Sequence, residues 1–230
     1  QVWTLIDMFP GRPGMTVIGE NGGIVMRDGV EVSSSPLDAP TMREAVRLVR
    51  EATSGPDGID GGLVMCGKQF AYVERTDDRF VDGVLPYYHR TKRVDDQIAI
   101  IDAIEAGQID DAIVKLAVYV IGPVQALAEA TLARFADTHQ YAISGANWAD
   151  LQIRGVDKGS AVRDLQRFLG VDRSQTAVFG DAGNDLSMMS EGDLSFAMAN
   201  ASQDVIEAAR FIAPSNNEAG VAQVLRALVG

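Results

Sequence analysis

The sequence predicts an α/β protein with a doubly wound parallel sheet, interrupted by an inserted α+β cap domain. From about residue 151, short apolar runs alternate with helical patterns across short loops, the order that gives parallel strands with crossover helices. The preceding segment mixes strands and helices in a different order. A length of 230 residues with 47% hydrophobic content is enough for one large domain with an insert. We therefore predict a core over 1–37 and 151–230, with a cap over 38–150.

The first elements are a helix and a hairpin. In "VWTLIDMF", one helical face carries Val2, Leu5, Ile6 and Phe9, and "MTVIGENGGIVMRDGVEV" contains two Gly-rich turns between short apolar runs. The sequence thus predicts an amphipathic helix followed by a strand, a tight turn and a hairpin.

The cap begins with a helix in "TMREAVRLVREAT", for which Thr41 is the predicted N-cap. Two strands follow in "GLVMC" and "QFAYVER". The passage "TDDRFVDGVLPYYHRTKRVDD" has no clear period and is interpreted as a loop. A helix over about 97–106, a strand in "AIVKLAVYVI" and a helix opened by Pro123 complete the cap; His139 is placed at the end of that last helix.

The C-terminal part has the most regular pattern. Helical spacing in "KGSAVRDLQRFLG" ends at Gly170, a residue type that commonly terminates helices. The predicted order after it is a strand in "TAVFG", a helix in "NDLSMMSEG", a strand in "LSFAMA", a helix in "SQDVIEAA", a strand in "FIA" and a helix in "NEAGVAQVLRALV".

Composition excludes several kinds of partner. The formal net charge is −12 and the chain has no run of Lys and Arg, which argues against nucleic acid and anionic membrane surfaces. Cys66 is the single cysteine and stands in an apolar run, as expected of a buried, inert thiol. No stretch resembles a signal peptide or a membrane span, so we expect a cytoplasmic protein.

The stretch "VFGDAGNDLSMM" concentrates acidic and amide side chains directly behind an apolar strand. Ligands of parallel α/β sheets bind beyond the carboxyl ends of the strands, where Asp181 is placed. Two carboxylates four residues apart, Asp181 and Asp185, would repel each other unless a cation lies between them, and all-oxygen ligands suit Mg²⁺. An EF-hand calcium loop is excluded, because that motif requires Asp or Asn at its third position and Gly at its sixth, where this chain has Gly183 and Leu186. The alternative is that both residues only cap a helix.

Lys158 lies where the run "ADLQIRGV" meets a predicted helix start. Its ammonium would emerge at the same rim of the sheet as the two aspartates. A metal, an ammonium and helix N-terminal amides together form a site suited to a phosphate group. The alternative for a lone lysine is a solvated surface position.

The stretches "GVDKGSAVRDLQRFLGV" and "TAVFGDAGNDLSMMSEGDLSFAMAN", with the tail "PSNNEAGVAQVL", resemble the C-terminal half of Cof-type phosphatases of the haloacid dehalogenase (HAD) superfamily. "TVIGENGGIVMRDG" resembles the hairpin that precedes the cap in that family. The resemblance implies a magnesium-dependent phosphatase of small phosphorylated metabolites, with sugar phosphates as the expected substrates. An aspartyl-phosphate intermediate would form beneath a closing cap.

The resemblance also implies residue roles. Lys158 would hold the phosphate and the nucleophile, Asp181 would bind Mg²⁺, and Asp185 would support the metal shell and the lysine. Asn184 is similar to the amide that contacts the phosphate. The tail pattern implies that Asn216 and Asn217 line the site, and we assign Asn217 to substrate binding.

The chain departs from the family in its first residues. The family's nucleophile belongs to an Asp-x-Asp pair, and no Asp-x-Asp occurs in the sequence. Asp7 is followed two positions later by Phe9, and we interpret its segment as the helix after the family's Thr/Ser motif, with Asp7 on the solvated side. We therefore expect the 230-residue polypeptide to have little or no phosphatase activity by itself.

There are two alternatives to the phosphatase hypothesis. The departure from the family leaves open a catalytically inactive protein of the same fold. The other alternative is a phosphomannomutase-like phosphotransferase, because water and a sugar hydroxyl compete for the same intermediate. In the cap, His89 and its aromatic and basic neighbours in "LPYYHRTKR" could bind the hydroxyl groups or a second anionic group of a substrate; the alternative is an ordinary exposed loop.

Overall fold

A computed structural model of the chain describes residues 2–9 and 12–230; Gln1, Pro10 and Gly11, which fall in the predicted core segment 1–37, lie outside the described residues. The chain forms two compact units. Unit 1 comprises Gln1–Val30 and Ser34–Val156, and unit 2 comprises Glu31–Ser33 and Asp157–Gly230. Residues before 31 thus cluster with the predicted cap. Their predicted assignment to a core domain together with 151–230 stays a prediction.

Unit 1 begins with a helix and a hairpin. The bounds are α1 (Val2–Met8), β1 (Thr16–Gly19) and β2 (Ile24–Arg27), followed by β3 (Val30–Ser34), whose residues Glu31–Ser33 belong to unit 2. β1 and β2 pair antiparallel with Val17 opposite Met26. Val2 packs on this hairpin and is buried, whereas Leu5 and Phe9 of the predicted apolar face are exposed. The predicted N-terminal helix and hairpin are therefore confirmed.

The rest of unit 1 is a six-stranded sheet with four helices. The strands are β4 (Gly61–Gly67), β5 (Ala71–Val73), β6 (Thr91–Arg93), β7 (Ile113–Val120), β8 (His139–Ile143) and β9 (Trp148–Ile153). Their order is β6-β5-β4-β7-β9-β8, with β5 and β6 parallel and the other neighbours antiparallel. The helices are α2 (Ala39–Thr53), α3 (Asp78–Val84), α4 (Gln97–Glu105) and α5 (Gln125–Ala130).

The predicted loop over residues 76–96 is wrong. It contains α3 and β6, and α3 is capped by the Asp77 side chain, which accepts a hydrogen bond from the Phe80 amide. Phe80, Val81 and Val84 are buried on one face of α3. Gly83 obscures this period in the sequence, but a Cβ at Gly83 would lie 2.2 Å from the Tyr119 hydroxyl. Helix packing against the sheet outweighs the low helix propensity of glycine here.

Three predicted boundaries also differ. The N-cap of α2 is Asp38 and not Thr41, because the Asp38 carboxylate accepts the Thr41 amide hydrogen bond at 2.8 Å and starts the helix three residues earlier. The helix after Pro123 ends at Ala130, where the backbone turns into a 3-10 segment. His139 begins β8 and does not end a helix.

Unit 2 has the alternating order that the sequence predicts. Its elements are α6 (Lys158–Leu169), β10 (Ala177–Gly180), α7 (Leu186–Met189), β11 (Leu194–Met198), α8 (Gln203–Ala208), β12 (Phe211–Ala213) and α9 (Gly220–Val229). β10, β11 and β12 form a parallel sheet in that order. Gly170 ends α6 with a φ of 68°, the left-handed conformation that favours glycine. The predicted α/β class is confirmed.

Three ionisable side chains are buried together in unit 1. The Lys115 ammonium lies 2.7 Å from Glu20 and 3.5 Å from Asp150, and each residue is less than 8% exposed. Burial opposes ionisation of Glu20, but Lys115 outweighs it and the pKa of Glu20 lies below its ordinary value. Burial raises the pKa of Asp150, the more distant carboxyl. Cys66 lies on the same sheet face, and burial raises the pKa of its thiol to about 12.

Replacing Lys115 by Met is expected to destabilise the chain by about 3–5 kcal/mol at neutral pH, because two carboxylates lose their buried cation. The loss should shrink in acid, where the carboxylates can be neutralised by protons. Urea unfolding followed by fluorescence of Trp3 and Trp148 measures it. The control is Lys92→Met, whose exposed ammonium lies over the Phe70 ring and contributes about 1 kcal/mol or less. Equal effects of the two substitutions would contradict the assigned role of Lys115.

Candidate active site

The candidate site lies in unit 2, at the carboxyl ends of the three parallel strands. β10 ends at Gly180, so Asp181 is the first residue beyond the sheet. The loops after β11 and β12 supply Asn200 and Asn216, and these loops bond to one another and to Asp181. This is the edge at which parallel α/β sheets bind ligands.

Asp185 is the centre of the hydrogen-bond network. It is 5% exposed, and one carboxylate oxygen accepts hydrogen bonds from the backbone amides of Asp181 and Ala182 at 3.0 and 3.2 Å. The other oxygen accepts from the Lys158 ammonium at 2.5 Å. Burial by itself would raise the pKa of Asp185, but these three hydrogen bonds outweigh burial and hold the pKa below its ordinary value. The residue is therefore ionised and fixed in place.

Two glycines allow this close packing. A Cβ at Gly180 would lie 2.6 Å from the Cβ of Asp185, so only glycine lets Asp185 fold back over the strand end. A Cβ at Gly159 would lie 2.4 Å from the Ser187 carbonyl oxygen, and the Gly159 amide donates to the Ser187 hydroxyl at 3.0 Å. The start of α6 is thereby docked against α7.

Lys158 occupies the first position of α6, where its direction is set by the helix cap. Asp157 accepts the Ser160 amide at 2.7 Å, while the Ser160 hydroxyl accepts the Asp157 amide at 3.0 Å, which forms a capping box. The Lys158 side chain is 31% exposed. Its ammonium has three N–H donors, and one of them bonds to Asp185. The others can reach an anion at the rim of the sheet.

Asp181 has a different environment from Asp185. Its Oδ2 accepts a hydrogen bond from the side-chain amide of Asn216 at 2.6 Å, and the Asp181 side chain is partly exposed. In the described part of the chain, Oδ1 of Asp181 has no recorded hydrogen-bond partner. The carboxylate can therefore offer one oxygen to a ligand.

Asp181 and Asp185 differ in how many carboxylate oxygens they can offer to Mg²⁺. Both Asp185 oxygens are occupied by protein donors, whereas Asp181 offers one oxygen. No group of three or more His, Cys, Asp or Glu side chains suited to a metal is present among residues 2–9 and 12–230. Mg²⁺ keeps several waters and is commonly held by one or two carboxylates together with substrate phosphate oxygens, so the arrangement is compatible with it. Asp181 and Asp185 as joint metal ligands stay a prediction.

The structure places the remaining predicted residues as follows. Asn184 is exposed in the loop after Asp181, within the turn Gly183–Asp185. Asn217 is exposed and has no recorded hydrogen bond to a described residue. Its neighbour Asn216 contacts Asp181, so Asn216 is the tail residue that our site assignment missed. The tail pattern implicated both asparagines, and the turn determines which one contacts the aspartate.

Residues that the sequence singled out in unit 1 make contacts within that unit. Tyr87 and Tyr88 contact the Trp148 ring, with centroid distances of 5.3 and 6.0 Å. The Arg90 guanidinium lies over the Trp3 ring at 4.2 Å. The Asp7 side chain is 65% exposed and lies 4.0 Å from Arg90, as expected for the solvated side of α1.

In the ranges that the structure describes, no helix has the length and apolar character to cross a bilayer.

Because the pKa of Asp185 is lowered, we predict that the hydrogen-exchange protection of the backbone around the site depends on pH. The stabilisation from its charge is complete above the unfolded-state pKa, about 4, and is lost as the pH falls through the lower folded-state value. Asp185→Asn should therefore reduce the hydrogen-exchange protection of β10 at neutral pH, and the difference from wild type should shrink in acid. The exposed Glu207→Gln is the control. A difference that does not depend on pH would contradict this prediction.

Residues 7–225 match the family described as haloacid dehalogenase-like hydrolases. The chain is 33% identical to the 5-amino-6-(5-phospho-D-ribitylamino)uracil phosphatase YbjI of Escherichia coli (strain K12), over 98% of this chain and 79% of that protein.

Solved structures show the same fold. A protein from Eubacterium rectale superposes with a TM-score of 0.77 at 23% identity, covering 93% of this chain and 77% of the other. A HAD subclass IIB sugar phosphatase superposes with a TM-score of 0.66 at 16% identity, covering 93% and 75% of the two chains. The chain therefore belongs to the haloacid dehalogenase-like hydrolase family, and its phosphatase relatives support a phosphomonoester hydrolase.

Proposed function

We propose that this protein is a magnesium-dependent phosphatase of small phosphorylated metabolites, with sugar phosphates and related polyol phosphates as substrates. The observation that carries the proposal is the convergence of Lys158, Asp185 and Asp181 at the carboxyl end of β10. An ammonium, a fixed carboxylate and a carboxylate with one oxygen not used by Asn216 form an arrangement suited to a phosphate dianion together with a divalent cation, which would offset the repulsion between carboxylates and phosphate. Membership of the hydrolase family agrees with this chemistry.

Each residue has a distinct proposed role. The free donors of Lys158 bind the phosphate and offset charge as the phosphoryl group is transferred. Asp185 holds the ammonium in place and also orders the backbone of Asp181. Asn184, exposed in the same loop, contributes an amide to the phosphate.

Asp181 is the proposed direct ligand of Mg²⁺, through the oxygen that Asn216 leaves accessible. When bound, this ion would neutralise phosphate oxygens and help to orient the ester. Asp185 supports the site without contacting the ion, because its carboxylate is already bonded to three protein donors. We therefore propose a supporting role for Asp185, while direct ligation of the metal by Asp185 stays a prediction.

The covalent step needs an attacking carboxylate, which the family resemblance assigns to an Asp-x-Asp pair. In that step, a carboxylate oxygen attacks phosphorus, the ester oxygen leaves and takes a proton, and water later hydrolyses the aspartyl phosphate. Asp7 is not suited to the role, because it lies on an exposed helix face beside Arg90. Residues 1–230 contain no Asp-x-Asp pair.

The relative of 33% identity guides the choice of substrates. It is named as a phosphatase of 5-amino-6-(5-phospho-D-ribitylamino)uracil, an ester whose phosphate is on a ribityl chain. We propose that this chain acts on esters of similar size. A substrate panel should therefore contain hexose and pentose phosphates together with this ribitylamino compound.

The test is a phosphate-release assay with the 230-residue polypeptide and with a version extended upstream through an Asp-x-Asp strand and a Thr or Ser motif. We expect the extended form to hydrolyse members of the panel with Mg²⁺ and not with EDTA. Lys158→Met and Asp181→Asn should each lower its kcat by about 100-fold to 1,000-fold, since each removes charge stabilisation of the transferring phosphoryl group.

The matched control is Arg167→Met in the same helix, because that cation is 75% exposed and pairs only with Asp164 among the recorded ion pairs of the described residues. Hydrolysis that persists in EDTA, or that survives both Lys158→Met and Asp181→Asn, would contradict the proposed function. Robust turnover by the short polypeptide that is abolished by Asp7→Asn would show that Asp7 is the nucleophile.

A further inference from the structure

Two asparagines tie together the loops that follow β10, β11 and β12. The Asn200 side-chain oxygen, after β11, accepts a hydrogen bond from the Asn216 backbone amide at 2.9 Å. Asn216, after β12, donates its side-chain amide to Oδ2 of Asp181 at 2.6 Å. The Asp181 carbonyl in turn accepts the Ser202 amide at 2.9 Å. Asp181 is thus held by both neighbouring loops.

The turn that carries Asn216 has a fixed shape. Asn216 is the first residue of the 3-10 turn Asn216–Glu218, in which the Glu218 carboxylate accepts hydrogen bonds from the amide and the hydroxyl of Ser215. Ala219 has a left-handed φ of 54°. A Cβ at Gly220 would lie 1.9 Å from the Pro214 carbonyl oxygen, so the backbone folds tightly at this point. This geometry accounts for the contact of Asn216, and not of Asn217, with the aspartate.

The consequence for Asp181 is an asymmetric carboxylate. Oδ2 is bonded to an amide donor at 2.6 Å, and Oδ1 has no recorded partner in the described ranges. A cation that approached both oxygens would have to displace the Asn216 amide. A cation that needs only one oxygen would leave the hydrogen bond intact.

We propose that Asn216 is a positioning residue that restricts Asp181 to monodentate coordination and thereby favours Mg²⁺ over Ca²⁺. The proposal rests on the proposed function, since Asp181 is the metal ligand there. Mg²⁺ demands near-octahedral geometry with short bonds, whereas Ca²⁺ accepts six to eight oxygens and bidentate carboxylates. Asn200 supports the restriction by holding the backbone of Asn216.

The test measures metal binding directly and does not depend on turnover. The wild-type 230-residue chain and Asn216→Ala are titrated separately with Mg²⁺ and Ca²⁺, and the amide NMR signals of residues 180–185 report binding. Loss of such a supporting hydrogen bond typically lowers metal affinity about 10-fold to 100-fold. We expect a loss of this size for Mg²⁺ and a smaller one for Ca²⁺, so that the preference for Mg²⁺ falls.

The matched control is Gln203→Ala, an exposed amide in unit 2 whose side chain also donates to a carboxylate, that of Glu207. It should leave both affinities unchanged. Asn200→Ala removes the support of Asn216 without touching Asp181, and we expect the same change as in Asn216→Ala with a smaller size.

Three results would overturn the proposal. Unchanged Mg²⁺ affinity in Asn216→Ala would show that Asn216 does not position Asp181 for the metal. Equal losses for Mg²⁺ and Ca²⁺ would show that Asn216 does not favour Mg²⁺ over Ca²⁺. Either result would leave the proposed function standing. A wild-type chain that shows no Mg²⁺ binding at residues 180–185 would overturn the proposed metal site itself, and this inference with it.

Discussion

The hydrogen bond from Lys158 to the buried carboxylate of Asp185 is the interaction on which the candidate site depends. Asp185 is almost entirely removed from water, so its charge needs compensation from the protein. The ammonium and the amides of Asp181 and Ala182 provide it from two sides. The same bonds fix the start of α6 and the loop after β10, which places Lys158 and Asp181 at one rim.

The topology explains how residues distant in sequence meet there. Parallel strands bring their carboxyl ends to the same edge of a sheet, and the loops after β10, β11 and β12 therefore become neighbours. Polar side chains in these loops can then bond to one another without crossing the core. The glycines at positions 159 and 180 remove the Cβ atoms that would keep the helix and the loop apart.

Much of unit 2 could be predicted from the sequence because local signals agree there: Gly170 marks the end of α6, and short apolar runs mark the strands. The contact of Asn216 with Asp181 could not be predicted, because the shape of one tight turn decides which of two adjacent asparagines contacts the aspartate. The sequence also does not indicate that Lys115 is buried, because its partner Glu20 is distant in sequence and lies on a left-handed turn. Such pairings depend on the tertiary fold.

The most direct test of the central claim is a double-mutant cycle on Lys158→Met and Asp185→Asn, read from the hydrogen-exchange protection of β10. If the ion pair organises the site, the two substitutions should be strongly non-additive, with a coupling free energy of about 1.5–3 kcal/mol, the range for hydrogen bonds to charged groups. Additive effects within about 0.5 kcal/mol would contradict the account, because they would show that Lys158 and Asp185 contribute independently.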